Sequence, residues 1–208
     1  VVAVSHHIQG QNVTAPEQFS AAVSDAQSKL GISLRYPLDN ALWPANLPAA
    51  TVQWTQGGEV AATTIFRISF TAPYARINVY GDSELWAIGS VGWGVKVPGS
   101  AWSELWSLEG GDAYELQVLS LDTGIGSDGM LNASEKYTLN IAQESVGGAF
   151  YYWNTGSAGI QILEIDEAAN VDDVEPEILT IEGGCHGCHT ISPDGEFAAV
   201  TFMGTQPE

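Results

Sequence analysis

The chain has 208 residues, of which 45% are hydrophobic, so it can bury a core and is not disordered by composition. Only 6 Lys and Arg residues stand against 25 Asp and Glu residues, giving a formal net charge of −19. A surface this negative repels phosphate, which argues against a nucleic-acid partner, and no apolar run approaches the roughly 20 residues of a membrane-spanning helix.

The chain begins with a predicted N-terminal arm and helix, residues 1–33. Thr14 suits the N-cap, Pro16 suits the first turn, and Gly31 is expected to end the helix. One apolar stripe has helical spacing: Phe19, Ala22, Val23, Ala26 and Leu30. Such a helix docks either on its own domain or, as an arm, on a neighbouring subunit. No secretory signal precedes it, so an exported form would be the processed one.

Residues 34–143 are predicted to be a β-sandwich of the immunoglobulin or fibronectin-III type, because short alternating segments follow each other between Gly, Pro, Asp and Asn. Trp54 and Tyr114 are candidate core residues. A short helical lid is expected around Trp102, Leu105 and Trp106, and Trp93 is expected in an exposed Gly-rich turn. The predicted strands are 50–54, 64–71, 76–80, 84–88, 113–121 and 137–142.

Residues 144–208 are predicted to form two hairpins separated by an acidic stretch. The first joins strands 149–153 and 159–165. In the second, Pro193-Asp194-Gly195 is a strong turn signal between two β segments. The fold class is therefore mainly β, with a short N-terminal helix, a sandwich and a C-terminal hairpin segment.

The only two cysteines of the chain belong to a single short motif. Cys185, Cys188 and His189 form C-x-x-C-H, the pattern of covalent c-type haem attachment. Two thiols add to the haem vinyl groups, and the histidine reaches the iron from the proximal side. The alternatives are a disulfide, which is strained over so short a loop, or half of a zinc site, which needs further ligands.

The motif and the turn after it resemble a known arrangement. Cys185-His186-Gly187-Cys188-His189, followed by Ser192-Pro193-Asp194-Gly195, is similar to the haem segment of exported bacterial proteins in which C-x-x-C-H leads into a TolB-like β-propeller hairpin. The resemblance implies haem c, an exported protein and a propeller-like hairpin. Because one hairpin follows the motif here, the sequence predicts either part of a longer propeller chain or a haem hairpin adapted to another context.

The second axial ligand of the iron is left open. His6 and His7 are the histidines outside the motif, because His186 lies within the attachment loop. Met203, beyond the turn, is the alternative. Two histidine ligands would give a lower reduction potential than histidine with methionine, because thioether ligation raises the potential.

The C-terminal third carries many carboxylates, and no Lys or Arg follows Lys136. This stretch is either a solvated linker or a calcium site, since calcium accepts several flexible oxygen ligands. The best cluster for calcium is Asp166, Glu167, Asp172 and Asp173. A weaker acidic loop at 122–128 does not match the EF-hand pattern.

These features predict an exported c-type cytochrome with one haem per chain, an electron carrier rather than a catalyst. It would act in the periplasm, at the cell surface or outside the cell. Its partner would be a redox protein or the haem of a neighbouring subunit in a homo-oligomer or filament. One alternative is a structural surface or filament subunit stabilised by divalent cations. Another is a haem enzyme such as a peroxidase.

Overall fold

The computed structural model divides into two compact units, Val1–Ser145 and Val146–Glu208. The residues that it describes are 2–7, 19, 29–44, 47, 49–73, 75–84, 86–88, 92–107, 113–124, 131–142, 144–154, 159–165, 177–179, 185–193 and 197–203.

The first unit is built mainly of β-strands. Its described elements are β1 (Val2–His7), β2 (Lys29–Tyr36), β3 (Ala41–Pro44), β4 (Thr51–Gln56), β5 (Thr64–Thr71), β6 (Ala75–Asp82), β7 (Ala87–Ile88), β8 (Gly92–Lys96), helix α1 (Gly99–Ser107), β9 (Tyr114–Asp122), β10 (Leu131–Ser134) and β11 (Tyr137–Ala142). The fold is therefore mainly β, as predicted.

The strands form one mixed β-sheet. Its strand order is β1-β6-β5-β9-β10-β2-β4-β8-β7, and β11 pairs with both β9 and β3. Most pairs are antiparallel, but β1 with β6, β2 with β10 and β3 with β11 are parallel.

This sheet folds over on itself. Trp54 on β4 contacts Phe66 on β5, with ring centroids 5.0 Å apart. The two strands are four places apart in the sheet, which in a flat sheet would separate them by about 19 Å. The sheet therefore forms two facing layers, and Trp54, Phe66 and Trp86 fill the space between them.

The outer face of β5 is covered by Phe19. This residue is helical and fully buried, and it packs beside Tyr80 and under the guanidinium group of Arg67, 5.0 Å from its ring centroid. The remainder of the cluster is Ile65, Leu119, Leu121, Leu131 and Ala133. The other residues of the predicted N-terminal helix up to residue 28 lie outside the described part of the chain.

Several sequence predictions are confirmed. Strands β5 and β11 have the predicted bounds, 64–71 and 137–142. Trp54 and Tyr114 are buried, and Trp102 and Leu105 lie buried on helix α1. Local alternation is a reliable guide here because these strands lie within the two packed layers.

Gly31 does not end a helix, because it lies within strand β2. In the parallel pairing with β10, Leu30 lies opposite Ala133 and Ile32 opposite Ser134, so Gly31 is an extra residue at a bulge. A Cβ atom at Gly31 would lie 3.0 Å from Oδ1 of Asn132. Glycine therefore allows the close approach of β10, and the apolar stripe is not helical at Leu30.

Two further sequence predictions are wrong, one about a strand and one about the exposure of a tryptophan. The strand expected over 84–88 is reduced to Ala87–Ile88, because Trp86 turns into the core against Gly81. Trp93 was expected in an exposed turn, but it lies on strand β8, is half-buried and contacts Phe66 at 5.6 Å. In both cases core contacts with Phe66 decide the local structure.

The second unit consists of two antiparallel sheets in its described residues. The strands are β12 (Gly148–Asn154), β13 (Gly159–Ile165), β14 (Glu177–Leu179), β15 (Cys185–Ile191) and β16 (Ala198–Met203). Both predicted hairpins are confirmed, the first as β12 with β13 and the second as β15 with β16.

Candidate functional site

The whole C-x-x-C-H motif lies on a single strand, β15. Cys185 is opposite Met203 on β16, and His189 is opposite Val200. Between these two pairs β15 advances by four residues and β16 by only three, so β15 contains one extra residue. The register shift falls between His186 and His189. The backbone thus departs from a regular ladder at Gly187 and Cys188, inside the motif itself.

Ser192 and Phe197 close the other end of this hairpin. The Ser192 N–H donates to the Phe197 carbonyl oxygen at 2.9 Å, and the Phe197 N–H donates to Ser192 Oγ at 3.0 Å. Thr190 and Ala199, which are register partners, are both exposed, and Phe197 is 71% exposed. The hairpin therefore presents an open surface next to the motif.

The donor set of the motif fits a covalently attached haem. Cys185 and Cys188 supply the two thiols that thioether attachment needs, and His189 supplies an imidazole directly after them. All three residues belong to one strand, so a single hairpin would carry both the covalent bonds and the proximal ligand.

The structure separates the candidate distal ligands into two groups. Met203 belongs to the same hairpin as the motif and is the register partner of Cys185. His6 and His7 instead lie on β1 of the first unit, opposite Val79 and Tyr80 of β6. Their backbone is therefore part of a sheet and not of a solvated tail.

The predicted calcium ligands Asp166, Glu167, Asp172 and Asp173 lie outside the described residues. Within the described ranges, no group of three or more His, Cys, Asp or Glu side chains could hold a metal ion.

The weaker acidic loop is described only at its beginning. There, Asp122 Oδ1 accepts hydrogen bonds from Thr63 Oγ1 at 2.6 Å and from the Gly124 N–H at 2.9 Å. These two bonds lower the pKa of Asp122, the Thr63 bond contributing most. The carboxylate therefore has a local role in joining the loop to the segment before β5.

Sequence reasoning missed the pairing of Met203 with Cys185. The turn signal at Pro193-Asp194-Gly195 sets the hairpin, but counting outward from it without a bulge puts Met203 opposite His186. The extra residue within the motif moves the pairing by one position. Glycine at position 187 was the available signal, since isolated glycines in strands often mark bulges.

Among the described residues, none of the helical segments has the length and hydrophobicity that a bilayer-spanning helix requires. Comparison with known proteins gives no family for the chain: no family model matches it, and no curated protein matches it significantly.

Proposed function

We propose that the protein is an exported c-type cytochrome that carries one covalent haem per chain and transfers electrons. The observation that carries the proposal is the C-x-x-C-H motif of Cys185, Cys188 and His189, which contains the only cysteines of the chain and lies on one strand. Attachment of c-type haem requires reactive thiols outside the cytoplasm, so the proposal places the protein in the periplasm, at the cell surface or outside the cell.

Each residue of the motif has a distinct task in this proposal. Cys185 and Cys188 tether the haem through thioether bonds, and His189 holds the iron from the proximal side. The bound haem would supply a one-electron couple. The closing contacts between Ser192 and Phe197 hold the two strands of the hairpin together and so keep the motif in position.

Charge in the second unit favours a cationic partner. Residues 146–208 contain 11 Asp and Glu residues and no Lys or Arg. A negative surface attracts a basic redox protein and speeds its encounter at low ionic strength. Phe197, exposed at the turn end of the hairpin that carries the motif, offers that partner an apolar contact.

The finer fold assignment forms part of the proposal. The two facing layers of the first unit support a sandwich related to the immunoglobulin or fibronectin-III type, although its three parallel strand pairs depart from purely antiparallel pairing. The hairpin closed at Ser192 supports a propeller-like β element after the motif.

Assembly with cations is a further part of the proposal. Chains of net charge −19 repel each other, and calcium at Asp166, Glu167, Asp172 and Asp173 would reduce that repulsion. In light scattering, the particle mass should rise with calcium and fall again with excess chelator. A particle mass that is the same in both conditions would refute this part.

Variants of the motif test the haem assignment. Cys185→Ser/Cys188→Ser should abolish the covalent haem, and His189→Ala should leave haem attached with a high-spin spectrum. His186→Ala is the matched control, since it removes a histidine of the same loop that is not assigned to the iron. The proposal fails if the cysteine variant retains covalent haem, or if His186→Ala changes the spectrum as His189→Ala does.

The distal ligand is tested by the same spectra. We propose that His6 or His7 binds the iron, in the same chain or from a neighbouring subunit, with Met203 as the alternative. His6→Ala/His7→Ala should turn a low-spin spectrum high-spin, or raise the potential if Met203 replaces them. An unchanged spectrum and potential in that variant, together with a lowered potential in Met203→Leu, would assign the methionine. A high-spin spectrum in the unaltered protein would instead favour a haem enzyme.

A further inference from the structure

Strand β12 forms an open edge of the second unit. It is the end strand of the sheet β12-β13-β14, so its outer backbone edge has no strand partner among the described residues. The strand is seven residues long and contains no charged residue and no proline. Proteins usually protect sheet edges with charges, prolines or short strands, and the opposite end strand β14 has only three residues and includes Glu177.

Aromatic side chains on β12 are exposed, and a further strand beside β12 would cover them. Phe150 and Tyr152 are 48% and 39% exposed, whereas Gln161, the register partner of Tyr152 on the central strand, is only 8% exposed. Exposure therefore falls from the edge strand to the strand beside it. A further strand lying next to β12 would cover Phe150 and Tyr152 in the way that β12 itself helps to cover β13.

Charge restricts which strand can occupy this position. Most surfaces of a chain with net charge −19 repel a second copy, but β12 carries no charge. The nearest described carboxylate on the adjoining strand is Glu164, which pairs with Ala149. If two copies of β12 met, their β13 strands would lie about 14 Å apart, beyond the Debye length of roughly 8 Å at physiological ionic strength.

We propose that β12 pairs antiparallel with β12 of a second copy of this chain, around a two-fold axis at Tyr151. In this register Phe150 of each copy lies opposite Tyr152 of the other, so two aromatic cross-strand pairs form on one face. All seven residues of the strand take part, and the two three-stranded sheets become one six-stranded sheet. The pairing uses β12 alone and does not depend on haem attachment.

Paired charge variants of the full chain test both the surface and the register. Phe150→Lys/Tyr152→Lys places like charges opposite each other across the two-fold axis. Phe150→Lys/Tyr152→Glu places opposite charges there instead. Phe197→Lys is the matched control, because it replaces an exposed aromatic residue of the same unit outside β12.

Sedimentation velocity at physiological ionic strength measures the mass of each variant, and circular dichroism confirms that each is folded. The unaltered chain and Phe197→Lys should have the mass of two chains. The lysine–lysine variant should have the mass of one chain, although its net charge is less negative than that of the parent. The lysine–glutamate variant should return to two chains.

Hydrogen exchange of the unaltered chain locates the contact independently, because residues 148–154 should gain protection as protein concentration rises. The proposal is overturned if the unaltered chain is monomeric at all concentrations, or if it associates without protection of β12. It is equally overturned if the lysine–lysine variant still associates, or if the lysine–glutamate variant is folded but stays monomeric.

Discussion

Gly81 on strand β6 lies directly against the indole ring of Trp86. A Cβ atom at this position would approach the ring to 2.4 Å, so Gly81→Ala forces the core to shift. Overpacking of this kind typically costs about 1–3 kcal/mol in the free energy of unfolding. Chemical denaturation of the variant should show a loss of this size.

Gly57 provides the matched control, since a Cβ atom there meets nothing within 4 Å. Gly57→Ala should therefore leave the free energy of unfolding nearly unchanged. Equal losses in the two variants would contradict the packing described around Trp86.

Asp122 makes stability depend on pH in acid. Hydrogen bonds from Thr63 Oγ1 and the Gly124 N–H lower its pKa below the usual 3.8. The ionised form is therefore favoured in the folded state, and the stability that it contributes is present above pH 3.8 and lost as pH falls through the lower folded pKa. Asp122→Asn should destabilise the protein at neutral pH and flatten the decline of stability below about pH 4.

Thermal unfolding between pH 2 and pH 7 measures this difference. Thr63→Val removes the stronger of the two hydrogen bonds and should reproduce part of the effect. If Asp122→Asn and the unaltered chain lose stability in parallel throughout this range, the hydrogen-bonded role of Asp122 is wrong.

At the scale of elements, Ser192 closes the hairpin that carries the C-x-x-C-H motif. Ser192→Ala removes the hydrogen bond from the Phe197 N–H and retains the one from the Ser192 N–H to the Phe197 carbonyl oxygen. Removing one hydrogen bond should lower the stability of the hairpin by about 0.5–1.5 kcal/mol. Because the opening is local, amides of β15 and β16 should exchange faster, whereas those of β5 should not.

Thr190→Ala is the control for this prediction, since Thr190 is an exposed residue of the same hairpin. Its amide exchange should match that of the unaltered chain. Faster exchange in both variants would mean that the hairpin responds to any side-chain truncation and not to the closing contact.

Strand limits can be predicted from the sequence where alternating residues face the two layers and turn residues flank the strand. Strand β5 alternates residues between the two layers and is bounded by turns, so its limits could be predicted residue by residue. Strands β1, β2, β3, β8 and β10 were not predicted. Strands β3, β8 and β10 have only four or five residues, and β1, β2, β3 and β10 each pair in parallel with a strand far along the chain. Local periodicity carries no information about such pairings, as the misread Gly31 illustrates.

The candidate site could be predicted as a motif but not as a geometry. The spacing of Cys185, Cys188 and His189 is a local signal, and so is the turn that follows it. The bulge within the motif and the resulting position of Met203 depend on how β16 pairs back, which only the hairpin register reveals.

At the scale of the whole molecule, the charge distribution should determine how the reduction potential of the proposed haem responds to salt. Residues 146–208 contain only acidic charges, and a negative environment stabilises the more positive ferric form. Salt screens these charges, so the midpoint potential should rise as ionic strength rises. Potentiometric titration from low to high salt checks the sign, and a potential that stays constant or falls would contradict this electrostatic account.

The central claim, one covalent haem per chain, is tested most directly by the intact mass of the protein produced in a host that exports it and attaches c-type haem. Under denaturing conditions, the mass should exceed that of the polypeptide by one haem, with both cysteines blocked to thiol reagents. A mass equal to the bare polypeptide, or to the polypeptide less two hydrogen atoms, would leave Cys185 and Cys188 as free thiols or as a disulfide and would contradict the account.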